Sequence, residues 1–197
     1  MRPAVFLDRD GTIIESVGYL RRLDQIALFP WTAGSIRALN LAGLPVVVTT
    51  NQAGVAQGFL TEAFIDETHR ELTARLEAGG AHVDAYYHCP HHPTKGIVAR
   101  YAMVCDCRKP GRGMVDRAAH DLALDLMRSF VVGDTWLDVG MARAAGARGI
   151  LVRTGAGAEE ERSLRRADLT ADAIVDNLAA AVSWILMTLK SVNQSEL

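Results

Sequence analysis

Five short apolar runs, each bounded by turn-forming residues, limit what this chain can fold into. Pro3 to Leu7, Pro45 to Thr49, Asp84 to His88, Phe130 to Val132 and Gly149 to Val152 read as strands buried on both faces. Helical periodicity separates them, at about 33–42, 61–78, 114–123 and 137–145. In the second of these, Ile65, Thr68, Leu72 and Leu76 share one face behind Thr61, and Gly79-Gly80 closes the helix. Strand and helix in repeated alternation imply an α/β fold: a doubly wound parallel sheet covered on both sides. The apolar stretch 179–189, with Trp184, Ile185, Leu186 and Met187, falls short of the about 20 residues that cross a bilayer and reads as a helix docked on that sheet. A single domain is expected over residues 1–190, with a frayed polar tail from Ser191 to Leu197.

Charge narrows the partners. Lys plus Arg number 21 against 23 Asp plus Glu among 197 residues, so no global positive field draws in nucleic acid or an anionic membrane. Neither a nucleic acid nor a membrane is therefore expected as a partner, and a monomer is the expected state. The N-terminus meets Asp8-Arg9-Asp10 after too few apolar residues for a signal peptide, which points to the cytoplasm.

There the three cysteines should stay reduced, and their placement is informative. Cys89-Pro90-His91-His92-Pro93 and Cys105-Asp106-Cys107 form two close groups of soft ligands across a loop spanning about residues 89–109. Cys89 and His91 as one pair and Cys105 and Cys107 as the other suit a closed, structural tetrahedral Zn²⁺ site, with His92 the alternative to His91. Free cysteines packed as small hydrophobes would not need the histidine beside them.

In open parallel sheets, ligands bind beyond the carboxyl ends of the strands, and four chemical groups fall there. Asp8 and Asp10 follow the first strand, with Gly11 permitting a tight departure. Two carboxylates so close repel unless a cation such as Mg²⁺ or a shared proton relieves them. Asp134 follows another buried run and can complete that metal site. Helix capping explains either Asp134 or Asp138, but not both. Thr50, Asn51 and Gln52 end the second strand with a hydroxyl and amides suited to phosphate oxygens, and Arg108-Lys109-Pro110 places two cations directly after the cysteines.

Taken in order, Phe6-Leu7-Asp8-Arg9-Asp10-Gly11-Thr12, Thr50-Asn51-Gln52, Lys109-Pro110 and Gly133-Asp134 through Asp138 resemble the four motifs of the haloacid dehalogenase superfamily of phosphohydrolases. The Cys89 and Cys105 segments resemble its zinc-loop subgroup of heptose bisphosphate and histidinol-phosphate phosphatases. The resemblance implies a Mg²⁺-dependent phosphomonoester hydrolase acting through an aspartyl-phosphate. Asp8 would be the nucleophile and Asp10 the acid and then the base. Mg²⁺ would be held by Asp8, Asp134 and the Asp10 carbonyl, and Thr50 and Lys109 would hold the phosphoryl oxygens. Asp138 would orient Lys109 or a metal water. Asn51, Gln52, Arg108, Gly18 and Tyr19 would meet substrate, Arg108 at a distal phosphate. The stretch between Thr12 and Thr50 is too short for a cap domain, so the resemblance implies a capless enzyme, partly walled by the zinc loop and the Gly18-Tyr19-Leu20 segment. The resemblance implies a small sugar phosphate as partner, with D-glycero-D-manno-heptose 1,7-bisphosphate cleaved at C7 as the expected substrate, histidinol phosphate the alternative and a non-catalytic zinc-stabilised binding protein a third reading. Gln57 and Thr135 stand where the subgroup often carries basic residues, which removes positive charge near the pocket.

Overall fold

The apolar runs line up side by side. In the computed structural model, which describes residues 1–163 and 169–195, β1 (Val5–Leu7), β2 (Val46–Asn51), β3 (Ala85–Cys89), β4 (Phe130–Gly133), β5 (Arg148–Val152) and β6 (Ala173–Val175) form one parallel sheet. The strand order is β3-β2-β1-β4-β5-β6, and Val5 sits beside both Val46 and Phe130. The order reverses at β1, so the crevice between the ends of β1 and β4 is the topological switch point.

The alternation of side chains along β1 divides the core. Val5 and Leu7 face α1 (Thr32–Leu41) and α6 (Leu178–Ser195), packing with Ile36, Leu39 and Ile185. Ala4 and Phe6 face the other way, toward Met114, Val115 and Ala118 of α3 (Gly113–Leu122) and Met141 of α4 (Trp136–Ala145). The central strands are buried, apart from Asn51 at the end of β2, because helices cover both faces. β3 departs from the expectation of burial on both faces: four of its five residues are only half-buried, since it is an edge strand.

Helix α2 (Glu62–Ala78) starts where Thr61 accepts a hydrogen bond from the Phe64 N–H at 3.1 Å. Two elements went unpredicted: α5 (Gly157–Arg162) and β6 are too short for periodicity to register. The tail differs as well. Helix α6 continues to Ser195, because propagating an established helix by a turn requires no new nucleus, and the last two residues of the expected frayed segment lie outside the described residues. No helix among the described residues is long and apolar enough to cross a membrane.

Candidate active site

Asp8 sits at the end of β1, where its N–H still donates to the Val132 carbonyl at 2.9 Å. The chain then turns sharply: the Ile13 and Ile14 N–H groups return to the Arg9 carbonyl, with Gly11 at φ +88°. Asp134 leaves β4 alongside. Its Oδ2 accepts from the Ala156 N–H at 2.8 Å and lies between Gly11 and Gly155. A Cβ on either glycine would stand 2.1 Å from that oxygen, so backbone without side chains is what admits the carboxylate.

Lys109 crosses from its loop to join the two strand ends, its Nζ 2.5 Å from Asp8 Oδ1 and 2.6 Å from Asp138 Oδ1. Asp138 therefore has two tasks. Its Oδ2 caps α4 by accepting from the Thr135 N–H at 3.3 Å, and from Thr135 Oγ1 at 2.6 Å, while Oδ1 holds Lys109. Each carboxylate oxygen thus meets one partner, the start of α4 or Lys109.

Asp10 is fixed from below. Arg9, only 1% exposed, donates to both its oxygens, and Gln52 Nε2 donates to Asp10 Oδ2 and Thr50 Oγ1, each at 2.9 Å. Asp8, Asp10, Ser16, Thr50, Lys109 and Asp134 line a cavity of about 240 Å³.

The charges do not balance. Four carboxyl groups, Asp8, Asp10, Asp134 and Asp138, meet two cations among the described residues, Lys109 and Arg9, an excess of acid that a divalent cation would relieve. Burial, with Asp138, Asp134 and Asp10 adding repulsion, raises the Asp8 carboxyl well above the usual range, against the pull of Lys109. Asp134 is pushed up to about 7, chiefly by burial and then by Asp138, although the Ala156 N–H and Lys109 oppose this. Burial also works against the Lys109 charge, but Asp138 and Asp8 outweigh it and raise its pKa. A Mg²⁺ ion among Asp8 and Asp134 fits this donor set, because it supplies the missing positive charge through hard oxygen ligands.

The cysteine cluster assembles beneath the same loop. The Sγ atoms of Cys89, Cys105 and Cys107 lie 3.2–3.5 Å apart, and His91 Nδ1 is 3.3 Å from Cys107 Sγ and 3.7 Å from Cys89 Sγ. These separations are too long for disulfides and close to the about 3.8 Å edge of a tetrahedron with metal–sulfur bonds near 2.3 Å. The Cys89 sulfur and then burial raise the Cys107 thiol, a crowding that a bound cation would relieve. His91 is the histidine of this cluster, and His92 turns away: its Nδ1 accepts from the Thr94 and Lys95 N–H groups at 3.2 and 2.9 Å.

The other residues expected to meet substrate have protein partners of their own or lie outside the cavity. Asn51 clamps Lys109, accepting from its N–H at 3.1 Å and donating to its carbonyl at 3.4 Å, although it also borders the cavity. The Gln52 amide is buried and engaged by Asp10 and Thr50. Arg108 donates to the His91 carbonyl at 3.2 Å. Gly18 and Tyr19 do not line the cavity, and the Tyr19 hydroxyl accepts from Gln57 Nε2 at 2.6 Å. Sequence reasoning missed Arg9, Ser16, Gly155 and Ala156. The position of Arg9 between the two aspartates was the one available signal; Gly155 and Ala156 reach the site only through the end of β5.

A doubly wound sheet whose switch point gathers aspartates from two strand ends, a buried lysine and a strand-end threonine is the build of a haloacid dehalogenase-like hydrolase. Residues 106–181 match the family model described as "HAD-hyrolase-like". The D-glycero-D-manno-heptose-1,7-bisphosphate 7-phosphatase of Thermosynechococcus vestitus is 43% identical over 187 residues, covering 93% of this chain and 95% of that protein. The D-glycero-beta-D-manno-heptose-1,7-bisphosphate 7-phosphatase of Salmonella typhi is 38% identical over 184 residues, with the same coverage of 93% and 95%. A crystal structure of the D,D-heptose 1,7-bisphosphate phosphatase of B. bronchiseptica, complexed with magnesium and phosphate, superposes with a TM-score of 0.81 at 31% identity, covering 95% of this chain and 99% of that one. The chain belongs to this family of haloacid dehalogenase-like phosphatases.

Proposed function

We propose that the chain removes the C7 phosphate of D-glycero-D-manno-heptose 1,7-bisphosphate by a Mg²⁺-dependent reaction through an aspartyl-phosphate. The observation that carries this reading is the convergence of Asp8, Asp134, Asp138 and Lys109 at the switch point, joined by Lys109 Nζ at 2.5 Å from Asp8 and 2.6 Å from Asp138. The relatives' names supply the substrate.

Lys109 engages Asp8 Oδ1, leaving Oδ2 unengaged among the described residues as the attacking oxygen. Asp8 forms a bond to phosphorus while the bond from phosphorus to the sugar oxygen breaks, and Asp10 gives its proton to the departing alkoxide. Asp10 then takes a proton from the water that attacks the aspartyl-phosphate, which releases inorganic phosphate and restores Asp8. Arg9 and Gln52 orient Asp10 for both transfers. Thr50 and Lys109 hold the phosphoryl oxygens, where charge develops. Mg²⁺, held by Asp8, Asp134 and the Asp10 main-chain carbonyl, would supply the positive charge that offsets repulsion between phosphate and carboxylates.

The Cys89, His91, Cys105 and Cys107 cluster is read as a structural Zn²⁺ site. The enzyme is read as a cytoplasmic monomer that takes a small sugar phosphate and binds neither nucleic acid nor membrane, serving nucleotide-heptose supply for surface glycans. Phosphate release from the heptose bisphosphate and from histidinol phosphate, with Mg²⁺ added or chelated, tests this. The bisphosphate should be hydrolysed far faster and only with Mg²⁺; faster release from histidinol phosphate would overturn the assignment. Asp8→Asn and Asp10→Asn should each lower kcat by at least about 10³-fold while the far-ultraviolet spectrum stays native.

A further inference from the structure

A second cavity, about 730 Å³, lies apart from the one with the four aspartates. It lies at the open edge of the sheet, over β3, with α2 on one side. Strand alternation gives the end of β3 two opposite chemistries. Tyr87 and Cys89 face α3 and the thiolate cluster, whereas Tyr86 and His88 face α2.

On that second face, Asp66 and His69, one helical turn apart on α2, meet His88, and one donor atom from each lies within 4.8 Å of the other two. The His69 ring stacks on Tyr86 at 4.6 Å, and the side chain is 7% exposed. Its Nε2 is buried without a hydrogen-bond partner, a state that carries a desolvation cost and calls for an explanation. Glu62 adds a further carboxylate, its Oε1 3.5 Å from His88 Nε2. Arg70 and Arg117 also line the cavity and act against a cation. The carboxylates of Asp66 and Glu62 oppose them.

We propose that Asp66, His69 and His88 form a binding site for a first-row divalent cation of the Zn²⁺ type, separate from both the thiolate cluster and the aspartate site. Two imidazoles and a carboxylate are borderline donors that suit such an ion better than Mg²⁺, which prefers oxygen alone. Metal–nitrogen bonds near 2.0–2.1 Å require donors about 3.4 Å apart, so the site must close slightly. Asp66 is exposed and free to swing in, while His69 is already held. The bound ion would fasten the edge strand to α2, because His88 belongs to one and the other two ligands to the other.

The test uses the full chain and Zn²⁺ alone, by equilibrium dialysis followed by elemental analysis. The unmodified protein should retain one equivalent more than Asp66→Asn or His88→Gln, whatever the thiolate cluster holds in common. Asp66 is exposed, so its variant stays folded. Cobalt titration gives an independent readout. Thiolate charge-transfer absorption should saturate first, and ligand-field absorption should keep growing for one more equivalent in the unmodified chain and not in the variants. Equal zinc retention by all three proteins, or ligand-field absorption that stops growing with the thiolate band, would overturn the site.

Discussion

Asp134 is held by main-chain N–H groups, with the Ala156 N–H donating to its Oδ2, rather than by a direct ion pair, and burial outweighs them. Its pKa is raised from 3.8 to about 7 in the folded chain, so between those values the metal-free fold keeps a proton that the unfolded chain has lost. Stability from this group is therefore complete below the unfolded value and is lost as pH rises through about 7. Because Mg²⁺ competes with that proton, the rise in Tm on adding Mg²⁺ should grow across the same interval, and Asp134→Asn should abolish that rise; thermal melts at several pH values check both. Gly155→Ala addresses the same carboxylate from its other side. With φ at +56° and a Cβ 2.1 Å from Asp134 Oδ2, it should destabilise by about 1–2 kcal/mol and lower kcat at least tenfold, read by melts and phosphate release. The aspartates and Lys109 were legible because strand ends are where a parallel sheet binds ligands. The task of Asn51 was not: its amide is aimed by a main chain 58 positions away, and no local pattern records that.

At the scale of elements, the loop between β3 and α3 joins two sites. Asn51 at the end of β2 clamps Lys109 by both its N–H and its carbonyl, so Asn51→Ala should loosen the loop. The expected result is a fall of roughly tenfold or more in kcat/KM with little change in Tm, because each clamp bond is worth about 1 kcal/mol. The paired histidines give a sharper contrast. His91→Ala should lower the metal content of the protein and His92→Ala should leave it unchanged, by elemental analysis, since only His91 offers Nδ1 to the sulfurs. Sequence spacing brought out the cluster but left the choice between adjacent histidines open. What separates them is a turn in which Thr94 and Lys95 use the His92 ring as a main-chain acceptor. Strand β6 escaped for a different reason, as three half-buried residues carry too little pattern to stand apart from a loop.

At the scale of the molecule, one sheet carries three clusters of side chains of metal-ligating type, and no residue belongs to two of them. The aspartates use the switch point between β1 and β4; the sulfurs use one face of the end of β3, and the histidines the other. The alternation of apolar runs was enough to define the doubly wound sheet, whereas its edge could not be read, because which strand lies outermost depends on pairing order. Cys107 and Lys109 are two positions apart in the same loop, one anchored among sulfurs and the other between Asp8 and Asp138. With a thiophilic metal among those sulfurs, as proposed, starving a cell of it would silence phosphate release even with magnesium abundant, so this enzyme would report on a nutrient that takes no part in its chemistry.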